Sequence, residues 1–333
     1  MHGDAQFSHT QSVELRGYTM SSSRITVLGI FVADMAFQAA RQPRIGETIL
    51  GNGFVLGPGG KGSNQAVGAA CAGGDVVFLT RLGEDTFGDM AQEIWQNAGV
   101  QADALTDAAA ETGAAYIFVD QASGDNAIIV CPGAANDLVP TDVDHWRSTI
   151  EASAIFMTQF EQPIETAIAA LRTASAAGVQ TILNPAPAAK VPDEIWPLCS
   201  YATPNETEAS DLTGVEVTSL DSARRAGDRL HDMGVQTALI TLGAEGALLH
   251  GAGISEHIPA ICDGTVIDTT GAGDAFNDGF AVALADGAGP KDAAVFGSAT
   301  AGLAVTRQGT ARSMPQRAEI EDALARARAR GLI

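Results

Sequence analysis

The sequence predicts an α/β fold in which a parallel sheet carries helices on both faces. Three observations lead to this prediction: the chain has 333 residues, 46% of them are apolar, and short apolar runs alternate with helix-like segments. A chain of that length and composition can bury one large core together with a small appendage. Strands that alternate with helices are typical of a parallel sheet, since each parallel connection needs a crossover.

Six short apolar runs are the predicted strands of this sheet. They are Ile25–Gly29, Val76–Thr80, Ala154–Met157, Thr181–Leu183, Tyr201–Thr203 and Ala238–Thr241. Between them, the alanine-rich segment Ile164–Ala177 is a predicted helix that ends at Gly178. A second predicted helix, Ser222–Met233, follows Asp221, which we expect to cap it, and ends at Gly234.

Two stretches, residues 44–56 and 113–131, have β character with no helix between strands. The second is a predicted hairpin around the turn sequence QASGD, and its apolar residues fall on both parities. Tyr116, Phe118, Ile128 and Val130 have one parity; Ile117, Val119 and Ile129 have the other. We expect one face to close over a ligand and the other to pack on a partner subunit. The alternative is that these strands extend the main sheet.

Charge and cysteine content exclude several classes of function. The net charge of −21 disfavours binding to nucleic acid or to anionic membranes. No apolar run reaches the roughly 18 residues of a membrane span. The four cysteines contain no C-x-x-C pair, which favours a reducing compartment, the cytoplasm, over a zinc site or disulfide framework. Residues 1–23 lack the apolar core of a secretion signal and are a predicted disordered tail, with Met20 as an alternative start.

A glycine-rich stretch, GPGGKG at residues 57–62, matches the pattern G-x-G-x-x-G. A dinucleotide site would place it in the first βα turn, and here it lies well past the first strand. It is not a phosphate-binding P-loop, because Gly62 follows Lys61 and Val55 replaces the first glycine. We expect its backbone amides, Lys61 and Asn64 to contact a small polar ligand.

The stretch from Gly271 to Asp274 reads GAGD and precedes the predicted helix Ala275–Ala285. Glycines allow successive amides to point one way, and the helix dipole adds positive potential, so this is a predicted anion pocket. A carboxylate in an anion pocket is unfavourable unless it takes a proton from an attacking hydroxyl, which makes Asp274 a candidate general base. The alternative is that Asp274 only caps the helix.

Two further stretches follow predicted strands. Asn205 and Glu208 are three residues apart at a predicted helix start, and could hold the water shell of Mg²⁺. The alternative is an ordinary helix start with acidic residues in its first turn. The glycine-rich segment Thr241–Gly246 is suited to line a nucleotide.

Taken in order, these motifs resemble the ribokinase family of carbohydrate kinases, the pfkB type. The similar stretches are GGKGSNQA (59–66), MTQFEQP (157–163), NPAPA (184–188), TPNETEA (203–209), ITLGAEG (240–246) and DTTGAGDAFNDG (268–279). The resemblance extends over roughly residues 24–325. It implies one kinase domain, residues 24–330, with a Rossmann-type sheet and a small β-sheet lid formed by about 31–56 and 113–131.

The resemblance also implies an activity and a set of roles. The reaction is phosphorylation of a sugar hydroxyl, the 5-hydroxyl for ribose, with ATP, Mg²⁺ and an activating K⁺, in a homodimer joined through its lids. Asp274 resembles the base, and the anion hole is implied at Gly271, Ala272 and Gly273. Sugar contacts are implied at Asp34, Gly60, Lys61, Gly62, Asn64, Glu161 and Asp274. ATP contacts are implied at Asn205, Thr241, Leu242, Gly243, Ala244, Glu245, Gly246, Gly273, Asp274 and Ser298. Glu208 is implied for Mg²⁺, and Asp268, Thr270, Ala304, Arg307, Gly309 and Ser313 for K⁺.

One position departs from the family pattern. The segment after the first strand is GIFVAD, with Val32 where the family commonly has a sugar-binding asparagine. The alternative substrates are therefore 2-deoxyribose or another sugar or nucleoside of the family. An NADP-dependent oxidoreductase using GPGGKG and Arg81, and a sugar sensor without catalysis, are the remaining alternatives. No hydride-transfer residues support the first, and the presence of Asp274 disfavours the second.

Overall fold

The computed structural model describes residues 23–251 and 253–333. Apart from Ser23, the predicted tail lies outside the described residues. The described chain forms a nine-stranded sheet with helices on both faces and a separate four-stranded sheet. Nowhere in these two ranges is a helix both long and apolar enough to cross a membrane.

The nine-stranded sheet forms the body of the molecule. Its strands are β1 Arg24–Leu28, β4 Asp75–Gly83, β5 Gln101–Asp107, β8 Ile155–Thr158, β9 Gln180–Leu183, β10 Tyr201–Ala202, β11 Thr237–Thr241, β12 Ala247–Gly251 and β13 Ile254–Ile258. They are ordered β13-β12-β11-β10-β9-β8-β1-β4-β5. In this spatial order, all neighbouring strands between β11 and β5 pair in parallel. At the other edge, β12 pairs antiparallel with β11, and β13 pairs antiparallel with β12. Each of the six predicted apolar runs overlaps one of these strands.

Helices cover both faces of this sheet. They are α1 Lys61–Cys71, α2 Thr86–Ala98, α3 Asp142–Glu151, α4 Ile164–Ala176, α5 Glu206–Thr213, α6 Leu220–Met233, α7 Ala272–Ala285, α8 Pro290–Ala304 and α9 Arg317–Ala329. One apolar core joins the sheet to α1, α2, α7, α8 and α9, and a second joins it to α3, α4, α5 and α6. Because alternate strand residues point to opposite faces, Phe78 enters the first core and its neighbours Val77 and Leu79 enter the second.

Three predicted boundaries are wrong. Helix α7 begins at Ala272, three residues earlier than predicted, because Gly271 is its N-cap. Helix α6 begins at Leu220, two residues earlier than predicted, because Ser219 rather than Asp221 is its N-cap and forms a capping box with Ser222. Residues 44–52 contain no strand, and the β structure of this stretch begins at Gly53.

The four-stranded sheet, called the lid from here on, consists of β2 Val32–Ala39, β3 Gly53–Gly59, β6 Thr112–Asp120 and β7 Asn126–Gly133. Its order is β3-β2-β6-β7, and β2 and β6 pair in parallel. It is not an extension of the body sheet, which excludes that alternative for the hairpin.

Both faces of the lid carry apolar side chains, but the predicted grouping across the hairpin is wrong. The register places Tyr116 opposite Ile129 and Ile117 opposite Ile128. Residues opposite each other share a face, so even-numbered residues of β6 lie on the same face as odd-numbered residues of β7. Ile117 and Ile128 face a cavity beside the body. On the other face, Phe37 packs on Phe54 and Tyr116 with ring centroids 4.9 and 5.8 Å away. Side chains on this outer face remain open, with Phe54 56% and Ile129 63% exposed.

Candidate active site

Helix α7 begins with an unusual first turn. Gly271 is its N-cap with φ of 76°, and a Cβ there would lie 3.0 Å from the side chain of Thr310. The amide of Ala272 donates to the carbonyl of Thr269 over 3.1 Å, so only part of the predicted anion hole is free. Within the described residues, the amides of Gly273 and Asp274 have no acceptor. These two amides and the helix dipole leave a positive pole at the helix start.

The carboxylate of Asp274 lies at this helix start but does not cap it. Gly271 caps α7 without a side-chain bond, so the alternative that Asp274 is only a helix cap is wrong. Asp274 instead accepts hydrogen bonds from Gln65 Nε2 over 3.0 Å and from Asn64 Nδ2 over 3.4 Å, both on α1. Burial raises the pKa of Asp274, while Lys61 and the two amides act against burial. A carboxyl with a raised pKa is suited to accept a proton.

The glycines of GPGGKG allow α1 to approach the end of β1 closely. Gly60 has φ of 87°, and a Cβ there would lie 2.5 Å from the carbonyl oxygen of Ile30. A Cβ on Gly62 would lie 2.7 Å from the Cα atom of Gly29, and one on Gly59 would overlap the carboxylate of Asp34. The stretch therefore positions Lys61 and Asp34 rather than forming a dinucleotide loop.

Lys61 brings several carboxylates together at the start of α1. Its backbone amide donates to Glu161 Oε2 over 2.6 Å. Burial acts to lower the pKa of the Lys61 ammonium, but the charges of Asp274, Glu161 and Glu208 outweigh burial and raise that pKa. Burial raises the pKa of Glu161 to about 7 and that of Asp34 to about 6. The site thus holds one partly buried cation among carboxyl groups of raised pKa.

A cavity of about 140 Å³ opens between these groups. Its predicted lining residues are Lys61, Asn205, Glu208, Thr241, Gly271, Ala272, Gly273 and Asp274. Asn184, Ala186, Thr203, Thr269 and Asn277 line it as well, and no role was predicted for them. The structure therefore brings the predicted base, anion hole and metal-site residues to one small polar space.

An amide network behind Asp274 was not predicted. Gln65 Nε2 is shared between Asp274 and Asn184 Oδ1, the latter at 3.2 Å, and Gln65 Oε1 accepts from Gln159 Nε2 over 2.5 Å. This network fixes the orientation of the Gln65 amide and so of the carboxylate that it binds. The only sequence signal was that all three residues fall inside the family-like stretches.

Asn205 and Glu208 form the capping box of α5. The Asn205 amide donates to Glu208 Oε2 over 2.9 Å, and the Glu208 amide donates to Asn205 Oδ1 over 2.8 Å. Burial raises the pKa of Glu208, with Lys61 acting against it. The predicted alternative of a plain helix start describes part of this geometry, yet both side chains also face the 140 Å³ cavity.

The segment Thr241–Gly246 forms a tight loop after β11. The Leu242 amide donates to the Gly246 carbonyl over 2.8 Å, and Gly246 has φ of 95° with no room for a Cβ beside the Ile258 carbonyl. The predicted ATP residue Ser298 bonds residues 259–261, a segment that packs against Gly246. Its hydroxyl donates to the Pro259 carbonyl over 2.7 Å and accepts from the Ile261 amide. Its hydroxyl is engaged in holding that segment.

A second cavity, of about 390 Å³, lies between the lid and the loop that follows α8. Its polar lining includes Asp34, Asn126, Asp268, Thr270 and Arg312, and lid residues such as Ile117 and Ile128 supply its apolar lining. Of the sugar contacts implied by sequence, Asp34 lines this cavity, and Lys61 and Asp274 line the smaller one. Gly60, Gly62, Asn64 and Glu161 line neither cavity.

Three of the predicted K⁺ residues meet at the edge of this second cavity. Asp268 accepts from the amides of Thr270 and Gly309, each over 2.9 Å. Burial acts to raise the pKa of Asp268, but these bonds outweigh burial and lower it. Ala304 at the end of α8 and Ser313 in the loop after it are buried, and Arg307 forms an ion pair with Glu319.

A second carboxyl group of α7, Asp278, was also missed by sequence analysis. It lies one turn after Asp274, is fully buried, and neither of its oxygens has a hydrogen-bond partner among the described residues. Burial, with the charge of Asp274, raises its pKa well above the usual range. Gly68 on α1 makes room for it, because a Cβ at position 68 would lie 1.8 Å from Asp278 Oδ2.

A body sheet of this topology, a lid and an aspartate at a glycine-built helix start define a carbohydrate kinase. The pfkB family carbohydrate kinase model matches residues 22–317, and the chain belongs to that family. It is 38% identical to a ribokinase of Haemophilus influenzae over 89% of this chain and 96% of the relative. It is 34% identical to a deoxyribokinase of Salmonella typhi over 87% and 95%.

The fold is also that of solved members of this group. A structure of Arabidopsis thaliana ribokinase complexed with ribose and ATP superposes with a TM-score of 0.84 at 31% identity, covering 92% of this chain and 99% of that one. The predicted family and the predicted fold, a parallel body with a small lid sheet, are both confirmed.

Proposed function

We propose that this protein transfers the γ-phosphoryl group of ATP to the 5-hydroxyl of D-ribose. One observation carries the proposal: the buried carboxylate of Asp274, fixed by Asn64 and Gln65, lies beside two free amides at the start of α7. The similarity to ribokinases over most of the chain supports ribose as the sugar.

Asp274 accepts the proton of the attacking hydroxyl as the new O–P bond forms and ADP leaves. The amides of Gly273 and Asp274, the helix dipole and Lys61 stabilise the negative charge that spreads over the transferred group. Positioning and charge stabilisation account for most of the catalysis of phosphoryl transfer, so few side chains are needed.

For the sugar, we assign binding to the region between the two cavities. Asp34 lines the larger cavity, Lys61 lines the smaller one, and the Lys61 amide donates to Glu161. The proposed sugar contacts also include Gly60, Gly62 and Asn64, which lie close to Lys61 in the chain. The lid covers the ribose, and its Asp34 carboxylate accepts sugar hydroxyls. This supports one domain over residues 24–330, in which the lid is a covering element.

For the nucleotide and its magnesium, we assign the opposite side of the 140 Å³ cavity. The loop Thr241–Gly246 with Asn205 borders the nucleotide. Among the described residues no three His, Cys, Asp or Glu side chains form a metal-binding group. This fits Mg²⁺, which proteins hold with one or two carboxylates, several waters and substrate phosphates, and here Glu208 is the carboxylate that faces the phosphate space. The bound ion would neutralise phosphate charge.

For an activating potassium ion, we assign the loops that meet at Asp268. The lowered pKa of Asp268 keeps its carboxylate charged. Its hydrogen bonds from the Thr270 and Gly309 amides join the two loops next to the anion hole. Backbone oxygens of Thr270, Ala304, Arg307 and Gly309, with Ser313, complete the proposed site. We expect activity to be higher in K⁺ than in an equal concentration of a large organic cation, measured as initial rates; equal rates would contradict this site.

We also propose a cytoplasmic homodimer joined through the lids. The open apolar side chains of the outer lid face, among them Phe54 and Ile129, support this because such a face is usually covered. The four cysteines are free thiols, which supports a reducing compartment.

The second candidate substrate is 2-deoxyribose, and Val32 is the observation that favours it. Val32 shares the lid face of Asp34, two residues along β2, and is buried beside Ile30 and Ala115. An apolar side chain there cannot pair with a hydroxyl, whereas it tolerates a deoxy carbon. The similarity to deoxyribokinases is in keeping with this candidate.

The test is an ATP-dependent kinase assay with ribose, 2-deoxyribose, fructose and adenosine as acceptors. We expect ADP formation to depend on a pentose, with ribose among the good acceptors. Turnover with fructose or adenosine and none with either pentose would contradict the proposed function.

A further inference from the structure

The loop between α8 and α9 contacts both the anion hole and the lid. At one end, the Thr310 side chain lies over Gly271, so close that a Cβ on Gly271 would be 3.0 Å from it. Next to it, the Gly309 amide donates to Asp268 over 2.9 Å. At the other end, Arg312 Nη2 donates to the Leu56 carbonyl on lid strand β3 over 3.2 Å. The loop is therefore a direct physical link across the 390 Å³ cavity.

The Arg312 side chain bonds a backbone carbonyl that lies 256 residues away in the sequence. The chain has 40 acidic and 19 basic residues. Even so, within the described ranges the exposed guanidinium of Arg312 pairs with no carboxylate, and its recorded hydrogen bond goes to the lid. Strand β3 is an edge strand, so its outward carbonyls have no strand partner and are available to the guanidinium.

We propose that Arg312 is a positioning residue that couples closure of the lid to the geometry of the anion hole. The inference rests on the proposed function. When the lid closes over a sugar, Leu56 engages Arg312 and holds the loop, and Thr310 then keeps Gly271 in place for the phosphate. When the lid is open this bond is absent and the loop is free to shift.

Such a link makes sugar and nucleotide binding cooperative. If lid closure and anion-hole order occur together, each ligand favours the state that the other needs, and the effect is reciprocal. Arg312 touches neither reacting group, so its loss acts on this coupling and leaves the chemistry of Asp274 in place.

The test measures the dissociation constant of ribose by calorimetry, with and without a non-hydrolysable ATP analogue and Mg²⁺. The proteins are wild type, Arg312→Ala, Arg312→Lys and the control Arg225→Ala. Arg225 is an exposed arginine on α6 whose recorded bond is to the Asp221 carbonyl of its own helix. We expect the analogue to tighten ribose binding in wild type and in the control. In Arg312→Ala the ribose dissociation constant should be about the same with and without the analogue, and in Arg312→Lys the tightening should be partly restored.

The loss of one hydrogen bond also lowers kcat/KM for ribose about two- to tenfold in Arg312→Ala, mostly through KM. An undiminished nucleotide effect in Arg312→Ala, or no nucleotide effect in wild type, would overturn the coupling while ribose turnover persists. Absence of any ribose turnover in wild type would instead reject the proposed function, and the role of Arg312 with it.

Discussion

The body and the lid bury their strands differently. In the body, β8 is buried at all four positions, because helices cover both faces of the sheet. In the lid, β7 is exposed along most of its length, with one face on a cavity and the other open. The body therefore buries its strands within one chain, whereas the lid leaves apolar side chains exposed on its outer face. We propose that a sugar covers one lid face and a second lid the other.

The proposed catalytic and sugar-binding groups follow the same division. Asp274 and the amides that hold it, from Asn64 and Gln65, belong to the packed helices α7 and α1. Asp34 belongs to the lid. Changes in the body should therefore act on the chemical step, and changes in the lid on affinity, specificity or assembly.

The largest expected effect is in the body. Asp274→Asn should lower kcat by a factor on the order of 10²–10⁴, the usual result of losing a general base. Binding of ATP, followed by calorimetry, should change little. The control is Asp211→Asn on the exposed side of α5, which should retain wild-type kcat. A kcat within a few-fold of wild type in Asp274→Asn would remove this carboxylate from the mechanism.

The next effect is on the outer face of the lid. Ile129→Glu should weaken the dimer by about a hundredfold or more, because burying an unpaired carboxylate in an apolar interface costs several kcal/mol. Light scattering at micromolar concentration measures the mass. Its matched control, Ile128→Glu, alters the neighbouring residue that faces the cavity, and should weaken sugar binding without dissociating the dimer. A monomeric wild type would contradict the dimer proposal.

On the inner face of the lid, Val32→Asn should shift specificity toward ribose. An amide there can bind a hydroxyl that valine leaves unpaired, and one such bond is worth about tenfold in kcat/KM. The ratio of kcat/KM for ribose and 2-deoxyribose, measured on both proteins, is the test. If wild type already prefers ribose by about a thousandfold and the variant shows no shift, position 32 does not read the hydroxyl.

The last effect concerns the stability of the body and not activity. The pKa of Asp278 is raised on folding, so the folded protein keeps a proton that the unfolded chain releases above about pH 4. Stability from this group is complete below that pH and is lost as pH rises toward the folded pKa. Asp278→Asn does not titrate. The free energy of unfolding of Asp278→Asn relative to that of wild type, measured by urea unfolding, should therefore increase as the pH is raised from 5 to 8. The increase should be at most about 1.4 kcal/mol per pH unit. A difference independent of pH would show that Asp278 is ionised in the folded protein.

Much of the body could be predicted from sequence because buried parallel strands are continuous apolar runs, such as Val76–Thr80. The lid hairpin was visible as well, yet its register was not. A one-residue offset across the turn decides which residues share a face, and Tyr116 opposite Ile129 is fixed by pairing rather than by composition. The start of α6 was misplaced because Ser219 and Asp221 are both good caps, and the sequence does not say which one the chain uses.

In the site, the residues with distinctive motifs were predicted, and those defined by packing were not. Gly68 has no Cβ and so leaves room for the carboxylate of Asp278, which lies 210 residues further along the chain. The two residues meet only once α1 and α7 pack together. The same is true of the bond between Gln65 and Asn184. Arg312 was missed because its proposed role depends on its hydrogen bond to lid strand β3, which only the folded structure shows.

The position of the phosphate on the product tests the central claim most directly. Wild-type protein is incubated with ribose, ATP and Mg²⁺, and the product is examined by phosphorus–proton correlation NMR. The proposed transfer to the 5-hydroxyl of ribose predicts coupling of the phosphorus to the two protons on carbon 5, and thus ribose 5-phosphate. Phosphate on another carbon, or release of inorganic phosphate without any sugar phosphate, would contradict the account.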